Sequence, residues 1–142
     1  MATRVLVPMD GSDQAWTAWE FALREYPDAE LVVLHVIDPA SAGYSAQMSL
    51  PSVAEEWYER ARDEAQDLFE RVRDAAGERD ATVTTDTVVG KPASAIVEYA
   101  DEHEVDHVVM GSHGRSGVSR ILLGSVAESV VRKSPVPVTV AR

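Results

Sequence analysis

The sequence contains no cysteine, which excludes disulfides, thiol nucleophiles and thiolate metal sites. Lysine is scarce: among 13 cationic side chains only Lys91 and Lys133 are lysine, and the rest are arginine. The cations are outnumbered by 24 Asp and Glu, giving a formal charge of −11. A phosphate backbone is held by clustered cations, so this balance argues against DNA or RNA as a partner and equally against an anionic membrane surface. An acidic surplus with little lysine resembles the bias of salt-adapted proteins, whose carboxylates keep a surface hydrated; an ordinary acidic protein is the alternative. No apolar run approaches the ~20 residues of a membrane helix, and the opening MATRVLVPMDGSD lacks signal-peptide architecture. The expectation is a soluble cytoplasmic protein. What is present is ordinary for a globular chain: 45% hydrophobic and 6% aromatic residues in 142, enough length to bury one core.

Strand and helix patterns alternate along the chain. Residues 3–8, TRVLVP, read as a strand ending in a turn cluster. Ser12 or Asp13 can then cap a helix whose inner face carries Trp16, Trp19, Leu23 and Tyr26, stopped by Pro27. Residues 31–36, LVVLHV, form the continuous apolar run of a strand covered on both faces. A turn-rich stretch fills 37–51. Ser52 and Glu55 form a capping-box pattern before a long amphipathic helix carrying Val53, Trp57, Ala61, Ala65, Leu68, Val72 and Ala75, ended by Gly77. The β-branched run 81–89 is a third strand, and Pro92 opens a helix carrying Ile96, Val97, Tyr99 and Ala100. VDHVVMG, 105–111, is a fourth strand. A glycine-rich loop and a helix with Val126, Val130 and Val131 facing inward come next, and PVPVTVA, 135–141, is a fifth strand. Such alternation predicts an α/β fold, an open doubly wound five-stranded parallel sheet with helices on both faces, in residues 1–142 as one domain.

In open α/β sheets ligands bind at the carboxyl ends of strands, where the strand order reverses. The most unusual loop there is the fourth. Gly111, Gly114, Gly117 and Gly124 are half of the chain's 8 glycines, and glycine permits the close backbone approach that wraps N–H groups around an anion. Ser125 follows at a helix N-terminus, a position that favours phosphate. Segment 111–133 also holds Arg115, Arg120, Arg132 and Lys133 against Glu128, a cationic island in an anionic chain. The alternative is that these glycines serve tight turns and helix–sheet packing. Asp10, after the first strand, suits hydroxyls or a metal, or else serves as a turn or cap residue. Walker A and G-x-G-x-x-G patterns are absent, since the only Gly-Lys pair, Gly90-Lys91, precedes Pro92. A phosphate-accepting receiver site fails for want of an Asp after the third strand. A flavodoxin-like phosphate loop fails because Asp10 and Asp13 occupy it. His35 and His107 lie inside strand patterns and read as packed, His103 as a helix-end residue, and His113 as the one histidine of the glycine loop. The four histidines lack metal-ligand spacing.

Gly111-Ser112-His113-Gly114, nine residues, then Gly124-Ser125 fits G-x2-G-x9-G-[ST], and with it the chain resembles the ATP-binding universal stress proteins. The VLVPMDGSD opening, LVVLHV, the G-K-P turn, VVMGSHGRSG and the LLGSVAESVVRKSPVPVTV ending extend the resemblance over the whole length. The resemblance implies strand order 3-2-1-4-5, with adenine near Val36 and with Pro8 and Asp10 helping to hold the adenosine. It implies Met110, Gly111, His113 and Gly114 along the ribose and phosphates, with Gly124, Ser125 and Val126 receiving phosphates. Arg115, outside the defining pattern, is added as a phosphate contact. ATP is the implied ligand, with Mg²⁺ or Mn²⁺ carried by its phosphates. The prolines of VPVTV point to an edge strand, and the resemblance implies that two copies pair antiparallel there, a homodimer through Val136–Val140. The expected function is an ATP-binding stress-response switch or chaperone-like adaptor with little or no turnover. The alternatives are a slow ATPase or phosphotransferase, for which only Arg115, Asp10 and His113 offer themselves, and a dimeric module that binds another adenine nucleotide or none.

Overall fold

A computed structural model describes residues 2–42, 49–77, 79–112 and 123–142. Its elements alternate as β1 (Arg4–Pro8), α1 (Asp13–Glu25), β2 (Glu30–Ile37), α2 (Pro51–Ala76), β3 (Thr82–Val89), α3 (Pro92–Glu102), β4 (His107–Gly111), α4 (Ser125–Lys133) and β5 (Val138–Ala141). The five strands form one sheet in the order β3-β2-β1-β4-β5, and every pair is parallel. The order reverses between β1 and β4.

The unbroken apolar run of β2 follows from its central position. Leu31 and Val33 join Val5, Val7 and Val109 under Trp19, Leu23, Leu68, Phe69 and Val72 of α1 and α2. Val32 and Leu34 turn the other way, with Leu6, Val108 and Met110, against Ile96, Tyr99 and Ala100 of α3 and Ala127 and Val130 of α4. A strand whose two faces both meet helices has no face to leave polar. Trp19 is wholly buried, and its indole N–H donates to the Val72 carbonyl across the α1–α2 contact. Removing such a side chain costs about 3–5 kcal/mol.

Local signals set most boundaries. Ser12 is the N-cap of α1, its side chain accepting from the Ala15 N–H, while Tyr26 is the C-cap rather than part of the helical face. Gly77 ends α2 with φ +60, and His103 ends α3, its ring stacked on Tyr99 at 3.7 Å. The Tyr99 hydroxyl donates to Asp86 on β3 at 2.9 Å; burial and the neighbouring carboxylate push the phenol up to about 12. His35 and His107 are half-buried in their strands as expected, the latter bonded to Thr139 of β5 and held below the usual imidazole range by burial.

Four expectations need correction. Ser52 does not cap α2: the helix starts at Pro51 with Leu50 as N-cap and no side-chain cap bond, because proline's fixed φ and missing N–H suit the first helical position. On the inner face of that helix Phe69 and Ala76 are buried, whereas Ala75 is exposed. Val131 does not face inward; it is 47% exposed, while Val130 is buried, because successive residues of a helix lie about 100° apart and Val131 falls beyond the edge of the face that α4 buries. The fifth strand is shorter than 135–141, because Pro135 and Pro137 have no N–H to donate to the ladder; it begins at Val138 opposite Val108. The stretch 37–51 gives Ile37 to β2 and a 3₁₀ turn to Pro39–Ala42, and its residues 43–48 lie outside the described part. Among the described residues no helix is long and apolar enough to cross a membrane.

Candidate functional site

The sheet opens where its order reverses. Register pairs Val5 with His107 and Leu6 with Val108, and the pairing stops there, although β1 runs on to Pro8 and β4 to Gly111. The separated strand ends leave a cavity of about 230 Å³, at the small end for ligand pockets and suited to a nucleoside-sized body. Pro8, Asp10, Val36, Met110, Gly111, Gly124, Ser125 and Val126, eight residues singled out from the sequence, all line it. His113, Gly114 and Arg115 lie outside the described residues. The sequence reading missed Met9, Ala15, Leu34, Pro92, Ile96 and Ala127 among the lining residues. These are apolar wall residues, and for most of them only helical and strand periodicity gave a hint.

Three helix starts converge on this cavity. Ala15 lies in the first turn of α1, Pro92 opens α3, and Ser125, Val126 and Ala127 form the first turn of α4. The positive ends of the helix dipoles therefore point at one place in a chain of net charge −11. The caps differ in a way that matters. At α1, Ser12 satisfies the Ala15 N–H, and the Asp10 carboxylate accepts from the Ser12 N–H at 2.9 Å. The N-cap of α4 is Gly124, and among the described residues no side chain caps the first-turn N–H groups of α4, which suit an anion. Backbone bonds hold this end in place: Ser112 N–H donates to Ala141 O at 3.1 Å, and Gly124 N–H donates to Ser112 O at 2.7 Å.

Gly111 answers the question of what that glycine is for. A Cβ built on it would lie 2.6 Å from the Gln14 carbonyl carbon and 2.7 Å from its oxygen. The first turn of α1 crosses the end of β4 so closely that only glycine fits, which is the packing alternative raised by the sequence. Asp10 likewise meets its turn role through Ser12 while also lining the cavity.

The polar edge of the cavity is built from β1 and β2. Register aligns Pro8 with Leu34 and thus Met9 with His35. In a parallel ladder Met9 N–H donates to Leu34 O, as it does at 2.8 Å, and Val36 N–H would return to Met9 O. Among the described residues that return bond is missing; the Met9 carbonyl meets His35 Nδ1 at 2.8 Å instead. The peptide groups of Ile37 point the other way, toward β3, where Ile37 O accepts from Gly90 N–H. Val36 therefore presents its N–H and C=O to the side that β1 has vacated, beside the cavity.

An open parallel sheet with a cavity at its switch point defines a doubly wound α/β protein. The whole chain, residues 1–142, matches the universal stress protein family, and the protein belongs to it. Universal stress protein MJ0531 of Methanocaldococcus jannaschii is 34% identical over 143 residues, covering 98% of this chain and 81% of that one. Universal stress protein MJ0577 of the same organism is 33% identical. Its solved structure matches this fold with a TM-score of 0.84 over 99% of this chain and 96% of that chain. A universal stress protein solved in complex with cAMP matches with a TM-score of 0.66 at 26% identity, over 99% of this chain and 96% of that one.

Proposed function

We propose that this chain binds an adenine nucleotide, ATP in the first instance, in the cavity between β1 and β4, and acts as a nucleotide-dependent switch or adaptor in stress response. The observation that carries the reading is the pairing of two unlike ends in one cavity. At one end the Val36 peptide offers a donor and an acceptor side by side, the pattern that complements the N1 and amino edge of adenine. At the other the first turn of α4 offers backbone N–H groups suited to phosphate. Met110 and Ile96 supply apolar walls for the base, and Asp10 is placed for ribose hydroxyls. The cAMP held by a structural relative supports an adenine nucleotide in this fold. His113 and Gly114 enter the proposal from the family signature, along the ribose and phosphates, and Arg115, outside that pattern, as a phosphate contact. Mg²⁺ or Mn²⁺ arrives with the phosphates.

The same reading makes the protein a cytoplasmic homodimer, joined through the antiparallel pairing of two copies of β5. Its support is the place of β5 at the sheet edge and the half-buried Val138, Thr139 and Val140 along it. Bound nucleotide would then stabilise the folded chain by mass action. The test is the nucleotide released when purified protein is denatured and its supernatant run on anion exchange, with Gly124→Val beside it. Gly124 lines the cavity and has φ −66, a backbone conformation that valine also adopts. Adenine nucleotide from the wild type and none from the variant is the expected result. An empty wild type that shows no thermal shift with MgATP overturns the proposal.

A further inference from the structure

We infer that His35 is a positioning residue for the base end of the proposed site: by occupying the Met9 carbonyl it ends the β1–β2 ladder one rung early and keeps the Val36 peptide turned to the cavity. The inference rests on the adenine-nucleotide reading above.

A carbonyl oxygen only accepts, so the 2.8 Å contact requires that Nδ1 of His35 carry the hydrogen. The Met9 peptide is thereby tied to β2 twice, through its N–H to Leu34 O and through its C=O to the imidazole. This double tie fixes where β1 stops and where the Met9–Asp10 wall of the cavity begins. Without the imidazole the nearest donor for Met9 O is the one the ladder register assigns, Val36 N–H. Closing that rung would spend the Val36 donor within the sheet, and a base would lose its partner on that edge. His35 reaches the ligand only through Met9 and Val36; it is half-buried and absent from the cavity lining.

The experiment compares wild type, His35→Phe and His35→Asn. Phenylalanine keeps a planar ring without the donor, and asparagine restores an N–H at the position of Nδ1. ATP and inorganic tripolyphosphate are titrated by calorimetry against each, and Val36 amide exchange is followed by NMR. Losing one hydrogen bond to the base predicts ATP affinity lowered about tenfold in His35→Phe, with tripolyphosphate affinity unchanged and His35→Asn close to wild type. In the nucleotide-free wild type the Val36 amide exchanges rapidly; in His35→Phe it becomes protected as the rung closes. The imidazole nitrogen spectrum of the wild type shows the Nδ1–H form. Equal loss of ATP and tripolyphosphate, ATP affinity unchanged in His35→Phe, or a Val36 amide already protected in the free wild type overturns the inference. If His35→Phe does not fold, the Val36 exchange and the imidazole spectrum of the wild type still decide it. A wild type that binds no ATP but shows a rapidly exchanging Val36 and an Nδ1–H imidazole sinks the adenine reading, not the hold of His35 on Met9.

Discussion

Gly111→Ala isolates one close contact and lets its cost be worked out beforehand. The backbone of Gly111 lies in β4, so alanine meets no torsional objection there. The objection is steric: the new Cβ falls 2.6 Å from Gln14 C, 2.7 Å from Gln14 O and 2.8 Å from Gln14 Cβ. Two of these are backbone atoms in the first turn of α1, which cannot swing aside as a side-chain tip would. Restoring ordinary contact requires the turn to retreat by roughly an ångström. That motion loosens Ala15 and Ala18, both buried under the same helix. Overpacking of this kind costs about 1–3 kcal/mol, and the rigidity of both partners points to the upper half of that range. For a chain of this size the melting temperature should fall by roughly 4–10 °C. Gly77→Ala is the natural comparison. It has nothing within 4 Å but a φ of +60, so its cost, about 1–3 kcal/mol, is backbone strain at the far end of α2. The two variants thus separate by location rather than by total stability. Gly111→Ala should shift the backbone resonances of Gln14 and Ala15 and weaken nucleotide binding, because Ala15 lines the cavity; Gly77→Ala should do neither. Urea denaturation and backbone NMR read both. A Gly111→Ala protein within about 0.5 kcal/mol of wild type, with Gln14 and Ala15 unmoved, would refute the reasoning.

Two further outcomes follow from single contacts. Tyr99 donates to Asp86, and its phenol is pushed up to about 12 by burial and that carboxylate. Because the folded value lies above the ordinary phenol value near 10, the folded state keeps its proton longer than the unfolded chain. The resulting stability is whole below pH 10 and drains away between about pH 10 and 12, amounting to roughly 2–3 kcal/mol. Tyr99→Phe should flatten that alkaline loss in denaturation curves taken from pH 9 to 12, and an unchanged slope would count against the contact. Val138→Lys places a charge on the outermost strand, where Val138 pairs with Val108 and packs partly against the α3–α4 core. It should halve the apparent mass in size-exclusion chromatography while retaining the far-ultraviolet spectrum of the wild type; a folded variant of unchanged mass would argue against pairing through β5.

Much of the fold could be read in advance because its signals are local. The alternation of a continuous apolar strand with an amphipathic helix is written into 31–36 and 53–72, and Ser12, Pro92 and Gly77 mark ends with their own backbone chemistry. Where two local signals competed, the weaker was easily mistaken: Pro51 outranked Ser52 as the start of α2, and of the adjacent Val130 and Val131 only the first is buried. The eight lining residues named from the sequence were found through glycine spacing, strand ends and family resemblance together, and they do share one cavity.

What the sequence determined by itself was the set of elements and which loops leave the carboxyl ends of strands, since periodicity and caps act over a few neighbouring residues. Tertiary structure alone decided the rest, because each remaining fact is a distance between segments far apart in the chain. The separation of β1 from β4 beyond Leu6 and Val108 makes the cavity. The approach of Gln14 to Gly111 shows that a signature glycine is there for helix packing. The reach of His35 to Met9, 26 residues away, turns a histidine that pattern alone would bury as core into the group that stops a ladder. No pattern of spacing encodes that last contact, for a hydrogen bond between strands depends on register, and register exists only once the sheet has formed.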